Sequence, residues 1–258
     1  MGRGGHESEA SQVRAQVGGD PNVVTQRVLR AFDTPGVMGA AGLVESPKRQ
    51  EAVSGGVDCA RARCVALTFD DGPVESTAKL LDILAERRIR ATFFLIGKNA
   101  AERPDMVRRE YAAGHEIANH SYTHADLGHA PEKMVDAELT GTQEAIRRAI
   151  GVAPVLLRPP YGSTGRRLTS KTRRMGLAQV LWTVDPLDWQ IRDSRAVERR
   201  VMKSVRPGDV VLMHDIHPTT VAAVPRILDR LERDGYVFVT VTELFGGTMT
   251  PGKIYAQR

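Results

Sequence analysis

The run His120-Ser121-Tyr122-Thr123-His124 carries two imidazoles four residues apart. On a helical turn that spacing sets both rings on one side, close enough to grip a single cation. Asp70 and Asp71, two adjacent carboxylates, are the natural source of a third ligand. Two imidazoles and one carboxylate leave positions open for water and substrate, the arrangement of a catalytic zinc centre. The same ligand types also describe the iron site of non-haem oxygenases, so the ion stays open with Zn²⁺ preferred.

Two further groups could move protons or hold charge. In Arg158-Pro159-Pro160-Tyr161-Gly162 neither proline has an N–H, so the first main-chain donor after Arg158 is that of Tyr161, on a stiffened turn. A fixed donor of that kind can hold an oxyanion without reorganising. A rigid turn at a strand end would explain the prolines but not the arginine. His214 ends the apolar run Leu212-Met213-His214. Alone it reads as a hydrogen-bonded structural histidine; with Asp188 as partner it reads as a general acid.

These residues need elements to position them. Strands are predicted at 64–69, 91–95, 115–119, 155–158, 178–184, 209–213 and 236–240, and helices at about 76–88, 103–113, 131–149, 164–175, 194–204 and 219–233. Such alternation indicates a parallel sheet of βα units. About seven strands predict an α/β fold of the distorted or incomplete (β/α) barrel type, with an open doubly wound sheet as the competitor. Asp70 and Asp71 then follow the first strand, His120 and His124 the third, Arg158 and Tyr161 the fourth, Asp185 and Asp188 the fifth, and His214 the sixth. The C-terminal ends of parallel strands share one face, where barrel active sites assemble.

Composition narrows the partners. The 258 residues hold 36 Lys and Arg against 31 Asp and Glu, a net charge of +5. The arginines are interleaved with acids and no nucleic-acid motif is present, so the charge reads as a solvated surface biased toward anions. No stretch reaches the roughly 18 apolar residues of a membrane span. Residues 1–57 are rich in Gly and Ala, with six basic and six acidic side chains and a weak amphipathic stretch from Val23 to Phe32. They are expected to be a largely irregular extension, with the catalytic domain at 58–258. They show no basic start leading into the apolar run of about 7 to 15 residues that an export signal needs. Cys59 and Cys64 are the only cysteines. Their spacing leaves open a reduced pair or a short-loop disulfide, which would imply an oxidising compartment.

Thr68-Phe69-Asp70-Asp71-Gly72, the His-Ser-Tyr-Thr-His run, Arg158-Pro159-Pro160-Tyr161-Gly162, Asp185-Pro186-Leu187-Asp188-Trp189 and Leu212-Met213-His214 resemble, in order, the five motifs of the polysaccharide deacetylases. These are the NodB-homology domains of carbohydrate esterase family four, and the resemblance covers about residues 58 to 245. It implies a divalent metal, Zn²⁺ before Co²⁺, Ni²⁺ or Mn²⁺, on Asp71, His120 and His124. It further implies Asp70 as general base held by Arg158, His214 as general acid oriented by Asp188, and the Tyr161 N–H at the oxyanion. Trp189 and Leu212 would line the acetyl pocket. Expected substrates are N-acetylglucosamine residues of peptidoglycan or chitin oligomers, with O-acetylated xylan or a non-catalytic glycan-binding module as alternatives. A monomer at the cell wall or outside the cell follows by the same resemblance, although without a visible export signal the cytoplasm stays open. His6, His115 and His129 are read as non-ligands, His217 as a loop neighbour that touches substrate, and Asp185 as a turn-former or supporting group.

Overall fold

A computed structural model describes residues 56–258. The expected irregular extension and its Val23–Phe32 stretch lie, but for two residues, outside the described part. Eight strands form the sheet: β1 Arg63–Asp70, β2 Thr92–Leu95, β3 Glu116–Asn119, β4 Leu156–Leu157, β5 Ala178–Val180, β6 Val210–His214, β7 Tyr236–Phe238 and β8 Ile254–Tyr255. Their order is β6-β1-β2-β3-β4-β5-β8, all paired in parallel, with β7 beside the first residues of β1. The helices are α1 Glu75–Glu86, α2 Gly97–Glu102, α3 Pro104–Ala112, α4 Glu132–Ile150, α5 Arg166–Met175, α6 Asp188–Ile191, α7 Ser194–Ser204, α8 Pro218–Arg233 and α9 Val241–Leu244.

The sheet curls on itself rather than staying open. Beyond β5, Val184 bridges Val211 of β6, and beyond β8, Gln257 bridges Asp209. This is the distorted parallel barrel expected from the alternation of elements. The predicted strand 178–184 is shorter than expected, because after Val180 the chain leaves the ladder. The carbonyls of Val180 and Leu181 accept instead from the Arg158 guanidinium, both at 3.3 Å. β8 was not anticipated; two residues are too few for a period to show.

Strand alternation sorts the side chains into two layers. Val65, Leu67 and Phe69 of β1 face outward, packing with Leu80 and Leu84 of α1 and with Ile227, Leu228 and Leu231 of α8. Cys64 and Ala66 face inward with Phe94, Ala118, Leu156, Ala178, Val180 and Val210. The inner layer is rich in alanine, which leaves room for a long side chain. Local signals agree with the helix ends: Pro104 and Pro218 open α3 and α8, the Asp193 carboxylate caps α7 by accepting from the Ala196 N–H at 2.6 Å, and Gly151 closes α4 in the left-handed conformation.

Ile227 is fully buried where α8 meets the sheet. Ile227→Ala should lower the unfolding free energy by about 2–5 kcal/mol, the range for emptying a packed aliphatic site. Guanidinium unfolding should show it as a lower midpoint at unchanged slope.

Candidate active site

The register of β1 and β6 sets Asp70 directly beside His214. Both side chains share the inward parity of Thr68 and Leu212, so they meet at the C-terminal mouth of the barrel. Arg158 enters the alanine-rich interior from the end of β4. Its Nη1 donates to Asp70 Oδ1 at 2.6 Å and to Thr68 Oγ1 at 2.7 Å, and its guanidinium carbon lies 4.0 Å from the Phe94 ring centroid. Burial pushes Asp70 up to about 6, against the opposing pull of the Arg158 and His214 charges. Arg158 favours the charged form of Asp70, as expected of a partner that holds it, and so moderates a shift that desolvation sets.

Asp71, His120 and His124 come together. Asp71 Oδ1 lies 3.5 Å from Nε2 of each imidazole, and one donor atom from each of the three lies within 4.8 Å of the others. Each ring is turned by its other nitrogen: His120 Nδ1 is 2.7 Å from the Arg158 carbonyl oxygen, and His124 Nδ1 is 3.0 Å from the Tyr161 hydroxyl. The Arg158 carbonyl can only accept, so His120 Nδ1 carries the proton and its Nε2 lone pair faces the centre; the Tyr161 hydroxyl is able to accept from His124 Nδ1 in the same way. Burial, with His124 close by, pushes His120 down to about 3, and burial lowers His124 as well. Burial alone would raise Asp71, but the two histidines draw it below the usual carboxylate range. Neutral imidazoles and an ionised carboxylate are the charge states that ligate metal. Asp71 Oδ1 is buried and has no hydrogen-bond donor among the described residues. An orphaned buried carboxylate oxygen is costly, and a divalent cation would satisfy it, so the residues fit that group.

The two histidines do not share a helical turn, as their spacing predicted. Residues 120–124 form a loop in which Ser121 and His124 have φ of 63° and 62°. Glu138 of α4 holds it: Oε2 accepts from the N–H groups of Tyr122 and Thr123 at 2.7 and 2.8 Å, and Oε1 accepts from the Thr123 hydroxyl at 2.6 Å. Asn119 adds a bond from the Ser121 N–H at 2.9 Å. Nothing in the local sequence marks Glu138, which looks like any acid on an amphipathic helix.

On the other side of the mouth, Asp188 is fully buried. Its Oδ1 lies 2.9 Å from His214 Nδ1, and its Oδ2 accepts from the His214 N–H at 2.8 Å and the Thr220 hydroxyl at 2.7 Å. Burial alone would lower His214, but the hydrogen bond and charge of Asp188 push it up to about 9. Asp185 accepts from the Leu187 N–H at 2.7 Å, a turn-forming bond, so it supports the loop before Asp188. Leu212 is buried on β6 and Trp189 half-buried on α6, both beside the Asp188–His214 pair in sequence and fold. Tyr161 sits in a short 3₁₀ turn with φ 61°, its side chain partly exposed against the His124 ring. His217 stands at the N-terminal boundary of α8 without a capping bond, its ring 5.9 Å from that of His214. His115 is buried behind β2 and accepts from the Ala91 N–H, while His129 is exposed beside Asp126; neither joins the centre. His6 lies outside the described residues. Cys59 and Cys64 are joined by a disulfide at the entry to β1.

The fold and the five segments at its mouth define a class. A family model described as polysaccharide deacetylase matches residues 58–180. The peptidoglycan-N-acetylglucosamine deacetylase PgdA of Listeria monocytogenes serotype 1/2a is 38% identical over 192 residues, covering 74% of this chain and 41% of that protein. A chitooligosaccharide deacetylase of Sinorhizobium fredii is 40% identical over 191 residues, covering 68% of this chain and 89% of the relative. A solved structure described as T48 deacetylase with substrate superposes with a TM-score of 0.74 at 43% identity, over 77% of this chain and 99% of that one. The chain belongs to the polysaccharide deacetylase family. It spans only about two fifths of the Listeria relative, which is the longer protein.

Glu138 touches no ligand atom, yet it alone fixes three donors of the histidine loop. Glu138→Ala should weaken Zn²⁺ binding by about 10-fold or more, the usual effect of removing an orienting partner. Competition against a chromogenic chelator measures it.

Proposed function

We propose that this chain is a metal-dependent hydrolase that removes N-acetyl groups from a glycan. N-acetylglucosamine of peptidoglycan is the first substrate, with chitin-type oligomers second. The observation that carries the reading is the pairing of Asp70 with His214 across β1 and β6, directly beside the Asp71, His120 and His124 donors. The names of the Listeria and Sinorhizobium relatives support the same chemistry on the same kinds of glycan. Zn²⁺ is the preferred ion, since two imidazoles and a carboxylate are a common catalytic set for it. The disulfide suits an oxidising compartment, and with wall-directed relatives it supports action at the cell wall.

A divalent cation on Asp71, His120 and His124 would supply Lewis acidity toward the acetyl carbonyl and toward a water molecule. Asp70, ionised and steadied by Arg158, takes a proton from the water that attacks the carbonyl carbon. The oxyanion of the tetrahedral adduct receives the Tyr161 N–H, held in place by its rigid turn. His214 then gives the proton on Nε2 to the departing sugar nitrogen, the C–N bond breaks, and acetate and a free amine leave. Asp188 keeps His214 protonated and oriented through Nδ1. Amines are poor leaving groups, so a positioned acid matters most on N-acetyl substrates. Trp189 and Leu212 form the wall against which the acetyl methyl packs.

Purified protein reconstituted with Zn²⁺ should release acetate from N-acetylglucosamine oligomers or peptidoglycan and stop when a chelator is added. Asp70→Asn should retain Zn²⁺ while turnover falls by about 10²–10⁴, the range for losing a general base. Release from acetylated xylan alone would move the assignment to an O-acetyl esterase, and full turnover in Asp70→Asn would overturn the role of Asp70.

The pH dependence on the alkaline side follows from His214. Its pKa is raised, so the acid is loaded at neutral pH and lost as pH rises through about 9. A cation beside it draws that limb downward. Asp188→Asn removes the charge that holds the proton, so the alkaline limb of kcat should move to lower pH by more than about one unit, since the hydrogen bond and charge of Asp188 are the largest raising influences. An unmoved limb in pH–rate profiles would separate Asp188 from the acid.

A further inference from the structure

Asp215 follows β6 directly, is fully buried, and has no part in the steps above. Its main-chain carbonyl accepts from the Ser76 hydroxyl at 2.6 Å, and its Oδ2 accepts from the Thr77 hydroxyl. Thr77 Oγ1 accepts in turn from the Val74 N–H at 2.9 Å, so the bonds run from the end of β6 into the first turn of α1. The carboxylate also lies flat against Gly72. A Cβ on Gly72 would fall far inside contact distance of both Asp215 carboxylate oxygens, so the acid fills the space a side chain would take.

The neighbouring backbone explains what this contact holds. The β1–β6 ladder ends at the pair Asp70 and His214, and the chain from Asp71 onward has left it. Asp71 itself has φ of 77°, a conformation that a non-glycine residue keeps only when its surroundings fix it. Toward β2 and α2 the turn is tied by two main-chain bonds and one side-chain bond. The Asp71 N–H donates to the Phe94 carbonyl at 3.2 Å, the Ile96 N–H donates to the Gly72 carbonyl at 3.1 Å, and Asn99 Nδ2 donates to the Asp71 carbonyl at 2.7 Å. Toward β6, where His214 stands, the tie runs through Asp215, Ser76 and Thr77. No local sequence signal marks it, since Asp215 and Thr77 are 138 positions apart.

We propose that Asp215 is a positioning residue, fastening the Asp71–Thr77 turn to the end of β6 and so setting Asp71 and Asp70 against His214. The inference rests on the deacetylase reading for its effect on turnover, but not for its effect on the cation site. It acts through main chain and turn geometry, its carboxylate bonding to Thr77 and not to Asp71, His120 or His124.

The test uses the full chain with three substitutions: Asp215→Ala, Asp215→Asn and Thr77→Val. Asp215→Asn keeps the shape and an acceptor for Thr77, so it should rescue what Asp215→Ala loses. Asp215→Ala should bind Zn²⁺ about 10-fold more weakly in chelator competition, the scale for loss of an outer partner of a ligand. On N-acetylglucosamine oligomers its kcat should fall by a similar factor of about 10, with KM within about 2-fold, the split expected when transition-state alignment is lost and binding is kept. Thr77→Val should weaken Zn²⁺ in the same direction, and Asp215→Ala with Thr77→Val together should weaken it by less than the product of their separate effects, because both remove the same Asp215–Thr77 bond. A purely structural role would lower the melting temperature of Asp215→Ala and leave Zn²⁺ affinity and kcat at the parent values; that result overturns the proposal. If Asp215→Ala does not fold, Thr77→Val decides, and parent-like Zn²⁺ affinity in it also overturns the proposal. If no substrate yields acetate even with the parent chain, the deacetylase reading fails while the Zn²⁺ series still decides the role of Asp215.

Discussion

A guanidinium buried inside a barrel is an expensive choice, and much of this molecule is arranged around it. Taking Arg158 out of water costs several kcal/mol unless charge and hydrogen bonds replace the lost solvent. Asp70 replaces the charge, Thr68 and two carbonyls accept three further N–H bonds, and the Phe94 ring covers one face. Each replacement has a consequence elsewhere. The interior stays lined with Ala66, Ala118 and Ala178 so that the side chain has room. β5 stops at Val180 because the carbonyls of Val180 and Leu181 turn toward the guanidinium. The main-chain oxygen of Arg158 then orients His120. One residue thereby ties β1, β4, β5 and the histidine loop into a single arrangement.

The electrostatics of the mouth follow from burial acting on groups with different neighbours. Desolvation drives every group toward its neutral form, and the neighbours decide which groups resist. His120 has Asp71 beside it, but burial and the neighbouring His124 outweigh that charge, and it stays neutral with its Nε2 lone pair available. His214 has Asp188 on its ring and main chain, so it keeps its proton to about pH 9. Asp70 is balanced between its own burial and Arg158, which leaves it near 6. In the proposed roles a base close to neutrality and an acid well above it overlap over a broad pH interval, and a cation at Asp71 would lower both. The pair is therefore separated by environment and not by residue type alone.

The sequence was legible where chemistry sits at strand ends and illegible where position depends on distant partners. Asp70, Asp71, His120, His124, Arg158, Asp188 and His214 can all be read from residue type and from alternating strand and helix patterns, because a parallel sheet brings its C-terminal ends to one face. The helical turn assigned to residues 120–124 failed because spacing of four is compatible with more than one backbone. Glu138, a helix away, selects the loop. The premature end of β5 was hidden for a similar reason: residues 178–184 look like one strand, and only the buried arginine shows why the carbonyls are diverted. The Asp215–Thr77 bond spans most of the domain and leaves no local trace.

Backbone strain marks the same boundary between what sequence shows and what folding must supply. Seven non-glycine residues among those described have positive φ, and five of them, Asp71, Ser121, His124, Tyr161 and Leu187, lie in loops at the mouth. A left-handed residue other than glycine costs of order 1–3 kcal/mol and survives only if its surroundings over-determine it. Here the fixing groups are side chains that bond to main chain: Asn99 on the Asp71 carbonyl, Asn119 on the Ser121 N–H, and Asp185 on the Leu187 N–H. The candidate ligands and the candidate acid are thus held by loops that would not keep their shape alone. Their geometry is produced by the packed barrel beneath them, so a substitution in a supporting polar group reaches the centre even when it contacts no ligand, acid or base.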